Sequence, residues 1–349
     1  MTPRERVSLL LNGTLPDRPP HFDLIRNDAV LSHFAGEELT VENAERLVYR
    51  AVNRAVDATR PMVRCPQRER VETLSDGRKV HFFRWTTWTE HPRVTTDEFA
   101  QQVKESIEQM RQWTEREQAS AQKHVDAHRT LELQMPDVYL FWSAPGGVGL
   151  SNLCHGVGLE QFCYFLADYP DLVSDYLECH TTRTVKMVRE VAKRARVGVY
   201  MLGEDIAFKG TTMFRPEFLR REFMGRLRRI VDTMHETDTR VMFHSDGNLM
   251  EILDDLVATG IDLLNPIEVM AGMDIAEIHR RAPHLIMVGG IDVSHLLPFG
   301  TPEAIQEAVR KAVHDAEGCI MVGSSTELQY VVPLHNYLAM RETIHSIRY

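Results

Sequence analysis

The chain has 349 residues, of which 43% are hydrophobic and 26% charged, and its formal net charge is −10. Such a composition is ordinary for a globular protein with a sizeable core, and the length fits two domains or one α/β barrel. The acidic balance, without any Lys/Arg-rich block, argues against nucleic acid or an anionic membrane as a partner. The apolar runs are too short for a spanning helix, and five cysteines without a C-x-x-C motif predict reduced thiols in the cytoplasm.

The first predicted elements are a helix, a strand, a second helix and a second strand. Thr2, Pro3 and Glu5 form a capping-box signature for an N-terminal helix that Gly13 ends. Residues 19–25 then predict the first strand. A helical pattern follows over residues 40–56, and residues 57–63 predict the second strand.

The segment that follows does not fit a strand–helix repeat. Residues 68–91 alternate around a Ser-Asp-Gly turn and predict a β-hairpin, and the charged stretch after it predicts one or two surface helices. We interpret residues 66–130, approximately, as an insertion on a single domain spanning residues 1–349. The apolar run at residues 138–145 predicts the third strand.

From about residue 197 the pattern becomes regular. Runs rich in Val, Ile, Leu and Met alternate with amphipathic stretches, as expected for parallel strands buried on both faces. The five strands of this part are predicted at residues 197–202, 240–243, 261–267, 284–290 and 319–324. Together with the three upstream strands they make eight, which predicts an α/β chain folded as a (β/α)8 TIM barrel.

Polar residues follow most of the predicted strands. In a (β/α)8 barrel these strand ends surround the active site, so six carboxylates and one histidine are expected around one mouth. Like charges held close together raise one another's pKa or require a cation. The residues at the predicted strand ends are Asp23, Arg26, Arg64, Ser143, Glu204, Asp205, His244, Asp246, Asn265, Glu268, Asp292, Ser324 and Ser325.

Each of these residues also has a structural interpretation. Asp246, Asp292 and the pair Glu204–Asp205 stand where residues commonly cap a helix. The glycine-rich stretch at residues 144–158 lacks the order of a dinucleotide or P-loop motif, so we expect a flexible loop that faces the substrate and no nucleotide cofactor. The set as a whole is harder to explain by capping alone.

Several segments resemble the uroporphyrinogen decarboxylase superfamily. These segments are residues 4–23, 203–223, 243–268, 289–305 and 323–340. The resemblance independently implies a (β/α)8 barrel. It also implies one of two chemistries found in that superfamily, porphyrinogen decarboxylation or methyl transfer by zinc enzymes that act with corrinoid proteins.

Two departures from the superfamily pattern bear on the chemistry. The decarboxylases carry an arginine-rich segment after the first strand, where this chain has only Arg26. The zinc methyltransferases carry His-x-Cys after the fifth strand and a further Cys after the eighth. Here those places read His244-Ser245-Asp246 and Ser324 or Ser325, while Glu268 falls where relatives place an acidic residue.

The resemblance therefore implies a divalent metal, zinc by expectation, with the ligands His244, Asp246 and Glu268. Such a hard ligand set suits an oxygen substrate better than a thiol. The remaining site residues are predicted to act in catalysis or to bind substrate. The catalytic set is Asp23, Arg26, Glu204 and Asp246, and the substrate-binding set is Arg64, Ser143, Asn265, Asp292, Ser324 and Ser325.

Three functions remain open from the sequence. The first is a methyltransferase of O-demethylase type, which moves a methyl group between a small methoxy or methylated substrate and a corrinoid protein. The second is a decarboxylase, with Asp23 or Asp246 as proton donor and Arg26 or Arg64 holding the carboxylate. The third is a non-catalytic binding protein of a corrinoid pathway. Relatives are often dimers, so a homodimer is compatible with each.

Overall fold

Eight parallel strands form a closed ring in the computed structural model, which describes residues 1–75, 77–90 and 94–349. Each strand pairs in parallel with the next, and His21 of the first strand pairs with Val322 of the last, which closes the ring. Within these described residues, barrel strands 1 to 8 are residues 21–22, Ala58–Thr59, Tyr139–Leu140 with Trp142–Ser143, Val199–Gly203, Arg240–His244, Leu263–Ile267, Ile286–Ile291 and Ile320–Ser324. The predicted (β/α)8 barrel is confirmed.

Helices surround the ring and connect its strands. The N-terminal helix has the predicted capping box between Thr2 and Glu5. The helices longer than seven residues are Pro3–Leu11, Asp28–Ala35, Ala44–Ala55, Thr96–Arg111, Glu115–Gln134, Leu150–Val157, Leu159–Asp168, Pro170–Ala192, Gly225–His235, Pro302–Asp315 and Leu334–Ser346. None of the helices in the described ranges is both long enough and apolar enough to cross a membrane.

Shorter helical segments complete the connections. They are Pro216–Phe218 with the π-helical turn Leu219–Met224, then Met250–Ile252 with Leu253–Val257, Val269–Ala271, Ile275–Arg281 and Leu296–Phe299. Small hairpin strands, Ala207–Phe208 and Thr211–Thr212, follow barrel strand 4. These segments follow the carboxyl ends of barrel strands 4 to 7.

The inside of the ring is packed with side chains and does not form a pore. Phe22, Phe141 and Met242 belong to one buried cluster, to which Leu10 and Leu11 of the N-terminal helix also belong. That helix therefore covers the amino-terminal end of the barrel. The carboxyl ends of the strands are left as the open end, where the polar residues predicted from the sequence are concentrated.

The insertion between barrel strands 2 and 3 contains more than the predicted hairpin. Residues Arg70–Thr73 and Lys79–Phe82 pair as expected, but a third antiparallel strand, Thr87–Glu90, extends them into what we call the insertion sheet. Asp76 of the predicted turn and His91 lie outside the described residues. The insertion is tied to the barrel by Arg84, which donates to both carboxylate oxygens of Asp28 at 2.6–3.0 Å. The assignment of residues 1–349 to one domain stays a prediction.

Candidate functional site

Three potential metal ligands meet at the carboxyl ends of barrel strands 4 and 5. One nitrogen of His244 and one carboxylate oxygen each from Asp205 and Asp246 all lie within 4.8 Å of one another. His244 ends barrel strand 5, and Asp205 follows barrel strand 4, its neighbour in the ring. Because adjacent parallel strands end at the same level, residues that are distant in sequence are brought together here. We call these three residues the ligand cluster.

The tautomer of His244 is fixed by Asn265 on barrel strand 6. The Asn265 amide nitrogen donates to the Val288 carbonyl at 3.2 Å, so its Oδ1 is the atom that faces His244 Nδ1, at 2.7 Å. His244 Nδ1 must therefore carry a hydrogen, which leaves the lone pair on Nε2. Burial lowers the pKa of His244, and the Arg60 guanidinium lowers it further, which favours the neutral ring that binds a metal.

Asp246 presents an unsatisfied oxygen to this lone pair. Its Oδ1 lies 3.8 Å from His244 Nε2. The Asp246 side chain is 48% exposed as a whole, but Oδ1 itself is buried and accepts a hydrogen bond from no donor in the described ranges. A buried carboxylate oxygen without a donor is costly unless a cation balances it. This orphaned oxygen is the observation by which the cluster fits a metal ion. One histidine and two carboxylates suit a divalent cation and leave coordination positions open for a substrate oxygen.

Glu268, predicted as a ligand, lies next to the ligand cluster but outside its tightest set. Its Oε2 accepts from the Gly247 backbone nitrogen at 2.7 Å. Burial raises the pKa of Glu268, and the charges of Asp246 and Asp292 raise it further. Asp205 takes the place that the sequence analysis gave to Glu268 within the compact set.

An arginine that the sequence analysis missed lies against the ring of His244. Arg60 follows barrel strand 2, is 4% exposed, and its Nη1 lies 3.4 Å from both ring nitrogens of His244. Its Nη2 contacts Glu327 Oε2 at 3.4 Å, and Glu327 Oε1 pairs with Arg26 Nη1 at 3.0 Å. Arg26 was predicted at the mouth, whereas Arg60 and Glu327 were not. Oppositely charged residues after strands 8 and 2, the two neighbours of strand 1 in the ring, were the available signal.

Glu204 makes its hydrogen bonds within the protein, to the backbone of the glycine-rich loop. Its two oxygens accept from the backbone nitrogens of Gly149 and Ser151 at 2.6 and 2.8 Å, and burial raises its pKa. His180 and Thr184 both hydrogen-bond to the Gly147 carbonyl. The glycine-rich loop, which we had expected to be flexible, is therefore held by hydrogen bonds. A Cβ on Gly147 would lie 2.5 Å from Glu204 Oε1, which explains glycine there. Glu204 therefore anchors this loop, and its catalytic role stays a prediction.

Two other predicted carboxylates have partners within the protein. The Ser324 hydroxyl donates to Asp23 Oδ1 at 2.7 Å, and Asp23 is 1% exposed. Asp292 accepts hydrogen bonds from the backbone nitrogens of residues 294–296, so it caps the short helix after barrel strand 7. Burial raises the pKa of Asp292, but these hydrogen bonds outweigh burial and lower the pKa overall. Ser325 accepts from the Val293 nitrogen at 3.3 Å. These contacts give each residue a structural role, and the proposed catalytic and binding roles stay predictions.

The last two predicted residues, Ser143 and Arg64, lie away from the ligand cluster. The backbone nitrogen of Ser143 donates to His128 Nε2 at 3.0 Å, which connects the insertion helix Glu115–Gln134 to barrel strand 3. Arg64 is exposed four residues beyond Arg60, because barrel strand 2 ends earlier than the sequence analysis placed it.

Comparison with known proteins identifies the family and the fold of the chain. The family described as uroporphyrinogen decarboxylase (URO-D) matches residues 91–347. The methylcobamide:CoM methyltransferases MtbA of Methanosarcina mazei and Methanosarcina acetivorans are 29% and 28% identical over 133 residues. The matched segment spans 38% of this chain and 38% of each relative. A solved methyltransferase structure from Methanosarcina mazei has a TM-score of 0.66 at 15% identity and covers 99% of this chain and 98% of its own, which indicates a shared fold.

Proposed function

The chain belongs to the uroporphyrinogen decarboxylase family, and we propose that it is a metal-dependent methyltransferase of that family. Its substrate would be a small methoxy or methylated compound, and a corrinoid protein would be its partner in methyl exchange. The similarity of one segment to methylcobamide:CoM methyltransferases supports the corrinoid partner. The absence of both family cysteines from the ligand cluster supports an oxygen substrate in preference to a thiol.

The observation that carries the proposal is the ligand cluster itself. His244 Nε2 and the unsatisfied Asp246 Oδ1 face each other at 3.8 Å, and Asp205 completes the set. A bound divalent metal, zinc by expectation, would supply Lewis-acid polarisation of the substrate oxygen. The chain's own groups hold that arrangement: Asn265 fixes the His244 ring, and the Gly247 nitrogen fixes Glu268.

Glu268 is suited to hold the proton that the reaction needs. Removal of a methyl group from a methoxy oxygen leaves that oxygen with a negative charge, which a proton must neutralise. Burial raises the pKa of Glu268, so Glu268 keeps its proton to a higher pH than an ordinary glutamate. Its Oε2 accepts from Gly247, so Oε1 is the atom available to carry and deliver the proton.

Metal content and methyl transfer test the proposal together. Protein purified without added metal is analysed for bound metal and is assayed with methoxylated compounds by the loss of cob(I)alamin absorbance. We expect about one metal per chain in the parent and loss of both metal and activity in His244→Ala and Asp205→Asn. Substoichiometric metal in the parent, with unchanged content in both variants, would refute the metal-dependent reading.

The carboxy-lyase alternative has one supporting observation, the pair of arginines beside the ligand cluster. Arg26 and Arg60 both contact Glu327, and a substrate carboxylate could compete for them. Its proton donor is less well supported, since Asp23 is 1% exposed and bonded to Ser324. Release of CO2 from carboxylic acids by metal-stripped protein, without methyl transfer, would favour this alternative over the proposed one.

A further inference from the structure

The guanidinium of Arg60 lies against the ring of His244 and is almost completely buried. Arg60 is 4% exposed, and its Nη1 is 3.4 Å from both ring nitrogens of His244. Because the two distances are equal, Nη1 is not aligned with the lone pair of either nitrogen. Arg60 therefore leaves the lone pair of His244 Nε2 available for a metal while it holds a positive charge beside that nitrogen.

Arg60 receives little compensation for its burial. Its Nε has no hydrogen-bond partner among the residues that the structure describes. Its Nη2 is 3.4 Å from Glu327 Oε2, which is longer than an ordinary hydrogen bond. Glu327 also pairs with Arg26, at 3.0 Å through its other oxygen, so one carboxylate serves two guanidinium groups. A buried charge with such long contacts costs stability, so its position calls for another explanation.

The carboxylates of the ligand cluster act on Arg60 in addition to Glu327. Burial lowers the pKa of Arg60, whereas the charges of Glu327, Asp246, Asp205 and Asp23 oppose that effect. Two of these four residues belong to the ligand cluster. Arg60 and a cation bound by the cluster are therefore attracted by the same carboxylates and repel each other, so Arg60 weakens metal binding.

A positive charge at this place opposes a metal but favours an anion. In the proposed methyl transfer, the C–O bond breaks with its electron pair left on the substrate oxygen, and cobalt(I) of the corrinoid partner supplies the pair for the new Co–C bond. The substrate oxygen is negative until Glu268 delivers its proton. A fixed positive charge in a buried site stabilises a developing negative charge without having to reorganise.

We infer that Arg60 is a positioning residue that lowers the metal affinity of the ligand cluster and raises its affinity for an anionic oxygen. It acts electrostatically and does not need to touch the substrate. This inference rests on the proposed methyl transfer and adds a charge requirement for the ligand at the same site. An arginine that only holds the fold would behave differently, because its removal would weaken the binding of metal and anion alike.

Two affinities of the full chain test the inference. Competition with a chromogenic chelator measures the affinity for Co²⁺. The d–d bands of the Co²⁺-loaded protein then follow titration with formate, a small oxyanion, and with formamide, its neutral analogue. Arg60→Gln should raise the Co²⁺ affinity about tenfold and weaken formate binding about tenfold, as expected for the loss of one charge near a buried site. The response to formamide should be the same in parent and variant.

Glu327→Gln should have the opposite effect, because it removes a negative charge that compensates Arg60. The Co²⁺ affinity should fall and the formate affinity should rise, each about fivefold. This variant keeps the inference testable if Arg60→Gln does not fold.

Two further variants serve as controls. Arg60→Lys keeps the charge and should stay within about threefold of the parent for both affinities. Arg26→Gln is the matched control, because Arg26 is also buried and pairs with Glu327, but of the two arginines only Arg60 is within hydrogen-bond distance of His244 among the described residues. Arg26→Gln should change each affinity less than about threefold.

The inference and the proposed function can fail separately. A lower Co²⁺ affinity or a parent-like formate affinity in Arg60→Gln, or weaker formate binding in Glu327→Gln, would overturn the role of Arg60 even if methyl transfer is intact. The opposite shifts, in a chain that as purified moves no methyl group from methoxylated compounds, would leave the role of Arg60 standing and refute the proposed function. A parent chain that binds no Co²⁺ would overturn both.

Discussion

Replacing Asn265 with alanine should weaken metal binding although none of the three ligand residues is changed. Asn265 is fully buried and makes two hydrogen bonds, one accepted from His244 Nδ1 at 2.7 Å and one donated to the Val288 carbonyl at 3.2 Å. Without it, His244 can place its hydrogen on Nε2 and turn its lone pair away from the cluster. Loss of such an orienting partner typically costs 10–100-fold in metal affinity, roughly 1.4–2.7 kcal/mol.

Asn265→Ala should also lower the free energy of unfolding. Two net hydrogen bonds of about 1 kcal/mol each are lost, and the buried groups left without partners bring the cost to roughly 2–4 kcal/mol. Asn336→Ala is the matched control: Asn336 is buried and donates to the carbonyls of Leu297 and Gly300 at 2.9 and 3.0 Å, on contacts separate from the ligand cluster.

Competition with a chromogenic chelator measures the metal affinity, and urea unfolding of the metal-free protein measures the stability. Asn265→Ala should lower both the metal affinity and the free energy of unfolding. Asn336→Ala should lower the free energy of unfolding and keep the parent's metal affinity. If the two variants have equal metal affinity, the tautomer of His244 is not what Asn265 contributes, and the reasoning is refuted.

Three further outcomes are expected. Glu204→Gln should lower the free energy of unfolding by about 2 kcal/mol in urea titrations, because it weakens charge-assisted bonds to the glycine-rich loop, and should leave the metal content at the parent's level. Gly247→Ala should reduce both stability and metal affinity, since φ is +96° and the new Cβ would lie 2.5 Å from the Phe208 nitrogen; parent-like values would contradict that strain. Burial, together with the charge of His128, lowers the pKa of His124 to about 4. In the unfolded chain this histidine has its ordinary pKa of about 6.5, so the unfolded state takes up the proton at a higher pH than the folded state. The free energy of unfolding therefore falls as the pH drops below about 6.5. His124→Gln should make urea stability depend less on pH between 7 and 5, and an unchanged slope would count against a neutral buried ring.

The barrel could be predicted because its strands carry a strong local signal. Strands such as Ile286–Ile291 are buried at every position and appear in the sequence as continuous apolar segments, and the helices between them begin and end at recognisable caps. His244 was predictable for the same reason: a polar residue that ends such a run has to lie at the mouth. The third strand of the insertion sheet, Thr87–Glu90, was missed because residues 68–91 were assigned to a single hairpin, so its Thr-Trp-Thr run was not separated from the second strand.

The composition of the ligand cluster could not be predicted, because it depends on where each strand ends. Barrel strand 2 stops at Thr59, so Arg60 reaches His244 and Arg64 does not. Glu204 and Asp205 are adjacent in sequence but have different partners. The oxygens of Glu204 bind the glycine-rich loop, whereas Asp205 belongs to the ligand cluster. Shifts of one residue at a strand end are below the resolution of hydrophobic periodicity.

The central claim is that this chain binds a divalent metal through His244, Asp205 and Asp246 without a thiolate. Absorption spectroscopy of the Co²⁺-substituted protein tests it most directly, because thiolate ligands give an intense charge-transfer band that nitrogen and oxygen ligands lack. Cys154 is the cysteine that we test as a possible thiolate ligand. Its pKa is raised to about 11, chiefly by burial and also by the charge of Asp205, which indicates that it lies near the ligand cluster. We predict one Co²⁺ per chain with visible d–d bands only, lost in His244→Ala and retained in Cys154→Ser. A thiolate charge-transfer band, or Co²⁺ binding unaffected by His244→Ala, would contradict the account.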